Sequence, residues 1–171
     1  MTVFRTERLV LRPFRLTDVP AYQAIRLKPG VTRYLPSHTE DPGEAAVRAA
    51  ATVEAFMAAW ARDGYGPWAV ETAGILIGHL GLRWLPEMAE TELLFLLDPD
   101  HQGRGYATEG GRAALDHGFG ALGLPMIAAY ALPENTASVR LLERLGMTRI
   151  PSLSEAFGLE VIRFEARPGA Y

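Results

Sequence analysis

Gly103 and Gly105 flank Arg104 where a strand-like run, residues 92–97, gives way through Asp98, Pro99, Asp100, His101 and Gln102 to Tyr106, Ala107, Thr108 and Glu109. A strand, a short glycine-bearing turn and a helix start leave backbone N–H groups pointing outward, and the first helical turn adds unpaired donors at the positive end of its dipole. Such a nest suits a pyrophosphate. An ordinary glycine-rich helix entrance has the same letters, so the two glycines alone do not decide. Two rival phosphate motifs fail on the sequence. A G-x-G-x-x-G fingerprint begun at Gly103 meets Thr108 where its third glycine belongs, and no G-x-x-x-x-G-K-[ST] occurs.

Glu92 alternates with Leu94 and Leu96 on one face of the same run. A carboxylate among leucines is a strand-end charge reaching solvent, the structural partner of an arginine, or a group with a catalytic task. Glu90 is the weaker candidate. Asn135, behind Pro133 and Glu134, is a good helix N-cap, while Ser138 lies one turn before Leu141, Leu142 and Leu145, which turns its hydroxyl inward toward a sheet or a ligand. The histidines at 38, 79, 101 and 117 share no close spacing and no H-E-x-x-H accompanies them, so no metal site is expected. His79 and the three tryptophans, Trp60, Trp68 and Trp84, read as packing residues. No G-x-S-x-G elbow supports a serine hydrolase. The lack of any cysteine removes disulfides, thiolate metal sites and a cysteine-bound acyl intermediate.

These groups need elements to hold them. Residues 8–16 alternate at period two as a strand, and Thr17 with Asp18 signals a helix N-cap ahead of residues 19–28. Pro29 and Gly30 break that helix, and residues 36–42 form a loop. Val53, Phe56, Met57 and Trp60 recur at i, i+3, i+4 and i+7, with Ala46, Ala49 and Ala50 extending the stripe backward, which predicts a long helix over 43–63 bounded by Gly64. Strands at 66–71, 75–84 and 91–97 read as an antiparallel meander. A helix at 105–122, a strand at 126–132, a helix at 135–145 and strands at 147–150 and 159–167 follow, an alternation that suggests parallel βα units. The expected organisation is a single α/β domain over residues 1–171, without repeats or internal linker.

Composition bounds the function classes. Apolar residues make up 49% and charged residues 22% of the 171, as in an ordinary globular protein. A net charge of −3 without a Lys/Arg cluster argues against nucleic acid and mildly favours cationic ligands. Residues 1–15 interleave apolar positions with Arg5, Glu7, Arg8 and Arg12, unlike a signal peptide, and no run approaches the ~20 apolar residues of a membrane span. The expected location is cytoplasmic, with no membrane partner.

Gln102, Gly105 and Ala107 together match Gln/Arg-x-x-Gly-x-Gly/Ala, and the chain thereby resembles the GNAT superfamily of N-acetyltransferases, whose acyl-CoA-binding signature this is. The run Gly103 to Glu109 is similar to the branch that contains the ribosomal-protein N-terminal acetyltransferases. Thr6, Glu7, Arg8, Leu9, Val10, Leu11, Arg12 and Pro13 resemble the first strand of that branch, and residues 133–138 with 142–147 resemble its late Asn-x-x-Ser and Glu-Lys-x-Gly-Phe segment.

The resemblance implies a mixed, mostly antiparallel sheet flanked by helices and splayed between its fourth and fifth strands. It implies acetyl-CoA as co-substrate, with Leu97 at the pantetheine arm, Gln102, Gly103, Arg104, Gly105, Tyr106, Ala107 and Thr108 around the pyrophosphate, and Asn135 and Ser138 on the far side. Glu92 matches a family carboxylate near the acceptor cleft. Many members carry a tyrosine as the acid for the departing thiolate at the position of Leu142. With leucine there, the role passes to Ser138, Tyr130, Tyr106 or a water, and Ser138 is preferred. The implied reaction is direct acetyl transfer to a primary amine, on a peptide N-terminus or a small molecule. A domain that binds acyl-CoA without catalysis is the alternative from another class, and a homodimer is compatible with either.

Overall fold

The computed structural model describes residues 3–35, 39 and 41–171. Among these described residues there are eight strands: β1 (Phe4–Arg5), β2 (Val10–Arg12), β3 (Pro67–Thr72), β4 (Ile75–Leu85), β5 (Glu90–Leu97), β6 (Ile127–Ala131), β7 (Thr148–Ala156) and β8 (Leu159–Ala166). They form one sheet in the order β1-β2-β3-β4-β5-β6-β8-β7. Neighbours are antiparallel throughout except β5 and β6, which run parallel.

The parallel βα units suggested for the tail therefore reduce to one pair. The physical reason is the turn at Phe157 and Gly158, which pairs Ala156 with Leu159. So short a connection can only reverse the chain, and β8 inserts antiparallel between β6 and β7. The β5–β6 ladder has a single registered pair, Glu92 with Ala128, whereas β4 and β5 share eight. Beyond that pair the strands part, and this is the splay. The short β1 makes them the fifth and sixth strands rather than the fourth and fifth.

Among the described residues five α-helices flank the sheet: α1 (Val19–Arg26), α2 (Pro29–Thr32), α3 (Pro42–Asp63), α4 (Tyr106–Asp116) and α5 (Thr136–Arg144). Helix α3 has clear local causes. The Asp41 side chain accepts from the Glu44 N–H at 2.7 Å, Pro42 opens the first turn, and Ala45, Ala49, Val53, Phe56 and Trp60 bury one stripe. With α1 it covers one face of the sheet, over Phe14, Tyr22, Ala49, Val53, Phe56 and Ala69. Helices α4 and α5 cover the other face, over a larger core that includes Leu80, Leu93, Leu115, Ile127, Leu142 and Phe164. Among the described residues no helix is long and apolar enough to cross a membrane.

Four local expectations change. The strand read over 8–16 shortens to Val10–Arg12, followed by a 3-10 turn at Leu16–Asp18. Asp18 makes no side-chain cap to α1. Its carboxylate instead takes two bonds of 2.8 Å from the buried Arg12 guanidinium and one of 2.8 Å from the Arg15 N–H, while Arg12 also reaches Glu71 on β3. A buried arginine needs every donor satisfied, and Asp18 satisfies two of them. Pro29 starts α2 rather than simply ending a helix, as its fixed φ allows at a first helical position. Helix α4 closes at Asp116 and runs into a wider turn, His117–Ala121, short of residue 122.

Candidate active site

The end of β5, the start of α4 and the start of α5 converge on a cleft of about 410 Å³. It lies along the end of β5, beyond the point where that strand parts from β6. Phe95, Leu96 and Leu97 supply one wall, Gln102, Gly103, Gly105, Tyr106, Ala107 and Thr108 the next, and Asn135, Ser138 and Leu141 the third. Val31, Tyr34 and Leu35, just after α1, close the remaining side. Arg140 and Arg144, one turn apart on α5, also line it, and no Asp or Glu among the described residues does. In a chain of net charge −3, that is a local cationic trough.

The turn into α4 is built from backbone. Gly103 and Gly105 have φ of +74° and +81°, a left-handed conformation that costs a β-carbon about 1 to 2 kcal/mol. A Cβ at Gly103 would meet nothing within 4 Å, so its surface is open. Gly105 is the N-cap of α4 and carries no side chain to cap it. The first α-helical bond runs from Glu109 N–H to the Gly105 carbonyl, 3.0 Å, which leaves the N–H groups of Tyr106, Ala107 and Thr108 ahead of the ladder. Free donors, open glycines and a trough without carboxylates fit a diphosphate-bearing ligand.

The glutamine of the motif has a structural task as well, because its side-chain amide donates to the Leu97 carbonyl at 3.1 Å and ties the end of β5 to the turn. Lys28 holds the same segment from the other side, bonding Asp98 and Asp100 at 2.6 Å each. Arg104 does not line the cleft; its guanidinium donates to the Asp100 carbonyl at 3.3 Å.

Glu92 lies down the strand from the cleft, about 13 Å along β5 from Leu96 at ordinary strand rise, and on the same face. It is the β5 residue registered with Ala128, so it sits at the apex of the splay. The residue is 5% exposed, and its carboxylate accepts from Arg83. Burial pushes its pKa up, the charge and hydrogen bond of Arg83 pull it down, and the net direction is up. Glu90 is more heavily committed: it accepts from Tyr130 and, at 2.7 Å, from Arg163. Arg163 in turn bonds Glu165.

Asn135 is both cap and wall. Its side-chain oxygen accepts from the Ser138 N–H at 3.2 Å, and both residues line the cleft. Ser138 is half-buried there. Leu142 is fully buried in the core. Tyr106 lines the cleft at the α4 end, whereas Tyr130 does not; burial, with Glu90 adding to it, pushes the Tyr130 phenol up to about 12. His38, with Pro36 and Ser37, lies outside the described residues.

The residues that sequence reasoning missed are the two arginines of α5 and the wall at Val31, Tyr34 and Leu35. A signal for the first existed: Arg140 and Arg144 stand one turn apart on the helix that Asn135 opens, beside Ser138 and Leu141. Nothing local marks the second, whose place depends on Lys28 reaching across the chain to Asp98.

Comparison with known proteins agrees with this geometry. Residues 8–148 match the family model described as an acetyltransferase (GNAT) domain. The N-acetyltransferase YnaD of Bacillus subtilis is 29% identical over 148 residues, covering 84% of this chain and 81% of that protein. An acetyltransferase from Agrobacterium tumefaciens superposes with a TM-score of 0.84 at 31% identity, over 98% of this chain and 95% of that one. RimJ of Mycobacterium smegmatis, solved in complex with CoA-disulfide, shares the fold with a TM-score of 0.77 at 24% identity, over 94% and 82% of the two chains.

Proposed function

The chain belongs to the GNAT acetyltransferase family, and from that premise we propose that it moves the acetyl group of acetyl-CoA directly to a primary amine, with a peptide N-terminus as the preferred acceptor. The observation that carries this reading is the cleft itself, which lies along the end of β5 beyond its parting from β6 and reaches the uncapped, glycine-lined start of α4 beside two arginines. RimJ, which shares the fold, holds a CoA derivative.

Acetyl-CoA supplies a thioester for the amine to attack in a ternary complex; the remaining contributions come from side chains and backbone. The N–H groups at the start of α4 hold the diphosphate, with Gly103 and Gly105 allowing close approach. Backbone groups at Leu96 and Leu97, freed where β6 departs, orient the arm and its carbonyl. Glu92, with a pKa displaced upward, takes the proton that the acceptor ammonium must lose so that the neutral amine can attack, directly or through water. Ser138 stands in the cleft as the donor to the leaving sulfur, in place of the tyrosine that Leu142 replaces. A thiol with a pKa of about 8.5 leaves with modest help.

The acceptor preference follows from proton chemistry. An α-amino group with a pKa of about 8 is partly neutral at physiological pH, whereas a lysine amine near 10.4 asks more of a single carboxylate. One observation favours a second reading, a domain that binds acyl-CoA without turning it over: Leu142 is sealed in the core and donates no proton. Initial rates of thiol release with short peptides, their N-acetylated forms carrying one lysine, and small primary amines test the proposal. Turnover with free N-termini that disappears on N-acetylation supports it; equal rates on lysine side chains contradict the preference.

A further inference from the structure

The segment leading into β2 crosses the first turn of α4 and clamps it. Glu109 and Arg8, 101 positions apart, are joined three ways: the Glu109 carboxylate accepts from the Arg8 backbone N–H at 2.8 Å, from Arg8 Nε at 2.7 Å, and pairs with Nη2 at 2.7 Å. The Thr6 hydroxyl adds a fourth bond at 2.5 Å. From the same guanidinium, Nη1 donates to the Arg104 carbonyl at 2.8 Å, and the plane lies over the Tyr106 ring, 4.9 Å from its centroid. A Cβ on Gly105 would stand 3.3 Å from Nη2. One arginine thus touches residues 104, 106 and 109 and shapes the space at 105.

This arrangement settles where the carboxylate goes. An acidic side chain at a helix start ordinarily turns back to cap the helix's own N–H groups. Here Thr6 and Arg8 draw Glu109 sideways, and the N–H groups of Tyr106, Ala107 and Thr108 stay available. Burial works to raise the Glu109 carboxyl, but Thr6 and Arg8 hold it below the usual range, so it remains charged and matched to its cation.

We propose that Arg8, acting through Glu109 and the Arg104 carbonyl, is a positioning residue that presets the turn and the first turn of α4 for the diphosphate of the cofactor, without reaching the reacting atoms. This rests on the acetyl-CoA reading of the cleft. Equilibrium affinities for CoA and for pantetheine, which has the same thiol arm and no phosphate, separate the two. Wild type should prefer CoA; if it does not, the cofactor reading fails and the role of the clamp falls with it.

Given that preference, Arg8→Ala should weaken CoA about tenfold or more while pantetheine changes less than twofold, since the lost ordering concerns phosphate contacts. Glu109→Gln, which keeps the shape and loses the charge, should shift CoA in the same direction by less. Arg8→Lys should restore part of the CoA affinity, because an ammonium reaches one of the two acceptors but neither bridges both nor stacks on Tyr106. Thermal melts of the ligand-free variants report whether they fold, and Glu109→Gln with Arg8→Lys carry the test if Arg8→Ala does not. Unchanged CoA affinity in the variants, or equal losses for CoA and pantetheine, overturns the proposal.

Discussion

Arg83 and Glu92 face each other across the β4–β5 register, with one carboxylate oxygen accepting from Nη2 at 2.6 Å and from Nε at 3.2 Å. The pair is lopsided, because the carboxylate is buried while the guanidinium is partly exposed. Burial therefore wins and the carboxyl titrates above its ordinary range.

Glu92→Gln separates stability from catalysis. A folded pKa raised above the unfolded one gives stability that is present below the unfolded value and lost as pH rises through the folded value. Above the folded value the ionised side chain is a cost, so the amide should gain in melting temperature over wild type as pH rises and differ little near pH 4. Turnover should fall by about two orders of magnitude at neutral pH, with the deficit shrinking as the free amine becomes neutral. Melts and kcat profiles over the same pH range check both; an equal loss at every pH marks an orienting role instead.

His79 supplies a second pH test. It is buried between Tyr22 and Phe56 and bonded to the Tyr22 hydroxyl at 2.8 Å, and burial holds its pKa down to about 3. The unfolded chain takes up this proton near pH 6.5 and the folded chain does not, so stability present above that value is lost progressively as pH falls toward 3. His79→Gln can keep the bond to Tyr22 without titrating. The fall in melting temperature between pH 7 and pH 4 should be smaller than in wild type, and identical slopes would show that His79 protonates without penalty.

Gly105→Val addresses the turn. Valine is disfavoured at φ of +81°, and its side chain meets the Arg8 guanidinium. Acetyl-CoA should raise the melting temperature of wild type by mass action, and the variant should lose that shift. A folded variant that binds acetyl-CoA as tightly as wild type by calorimetry removes the turn from the ligand site.

What was legible in the sequence was what is local. The stripe of α3, the Asn135 cap and the Gly103 to Ala107 turn each rest on spacings of a few residues, and the meander on short connections. What was not legible depends on partners far apart in the chain. Asp18 read as a cap because its partner Arg12 lies on another element; the clamp of Arg8 on Glu109 spans 101 positions. The insertion of β8 between β6 and β7 follows from pairings of the finished sheet. Of the site residues inferred from sequence, most come together around the cleft, whereas Arg104 turns away and Glu92 sits below it at the splay.

Ser138→Ala tests the departure of the sulfur. A hydroxyl that only assists the leaving group should cost a few-fold in turnover, because water can partly replace it. Initial-rate plots should still intersect. Parallel lines, with a kinetically competent acetyl-Ser138 in intact-mass spectra of wild type, would replace direct transfer with a covalent route.

The most direct measurement of the central claim is thiol release from acetyl-CoA with and without a short peptide bearing a free N-terminus, with the peptide mass read at the end. Release should depend on the peptide, and the peptide should gain one acetyl group for each thiol released. Tight acetyl-CoA binding with no amine-dependent release, across peptides and small amines alike, would contradict it and leave a domain that binds acyl-CoA without catalysis.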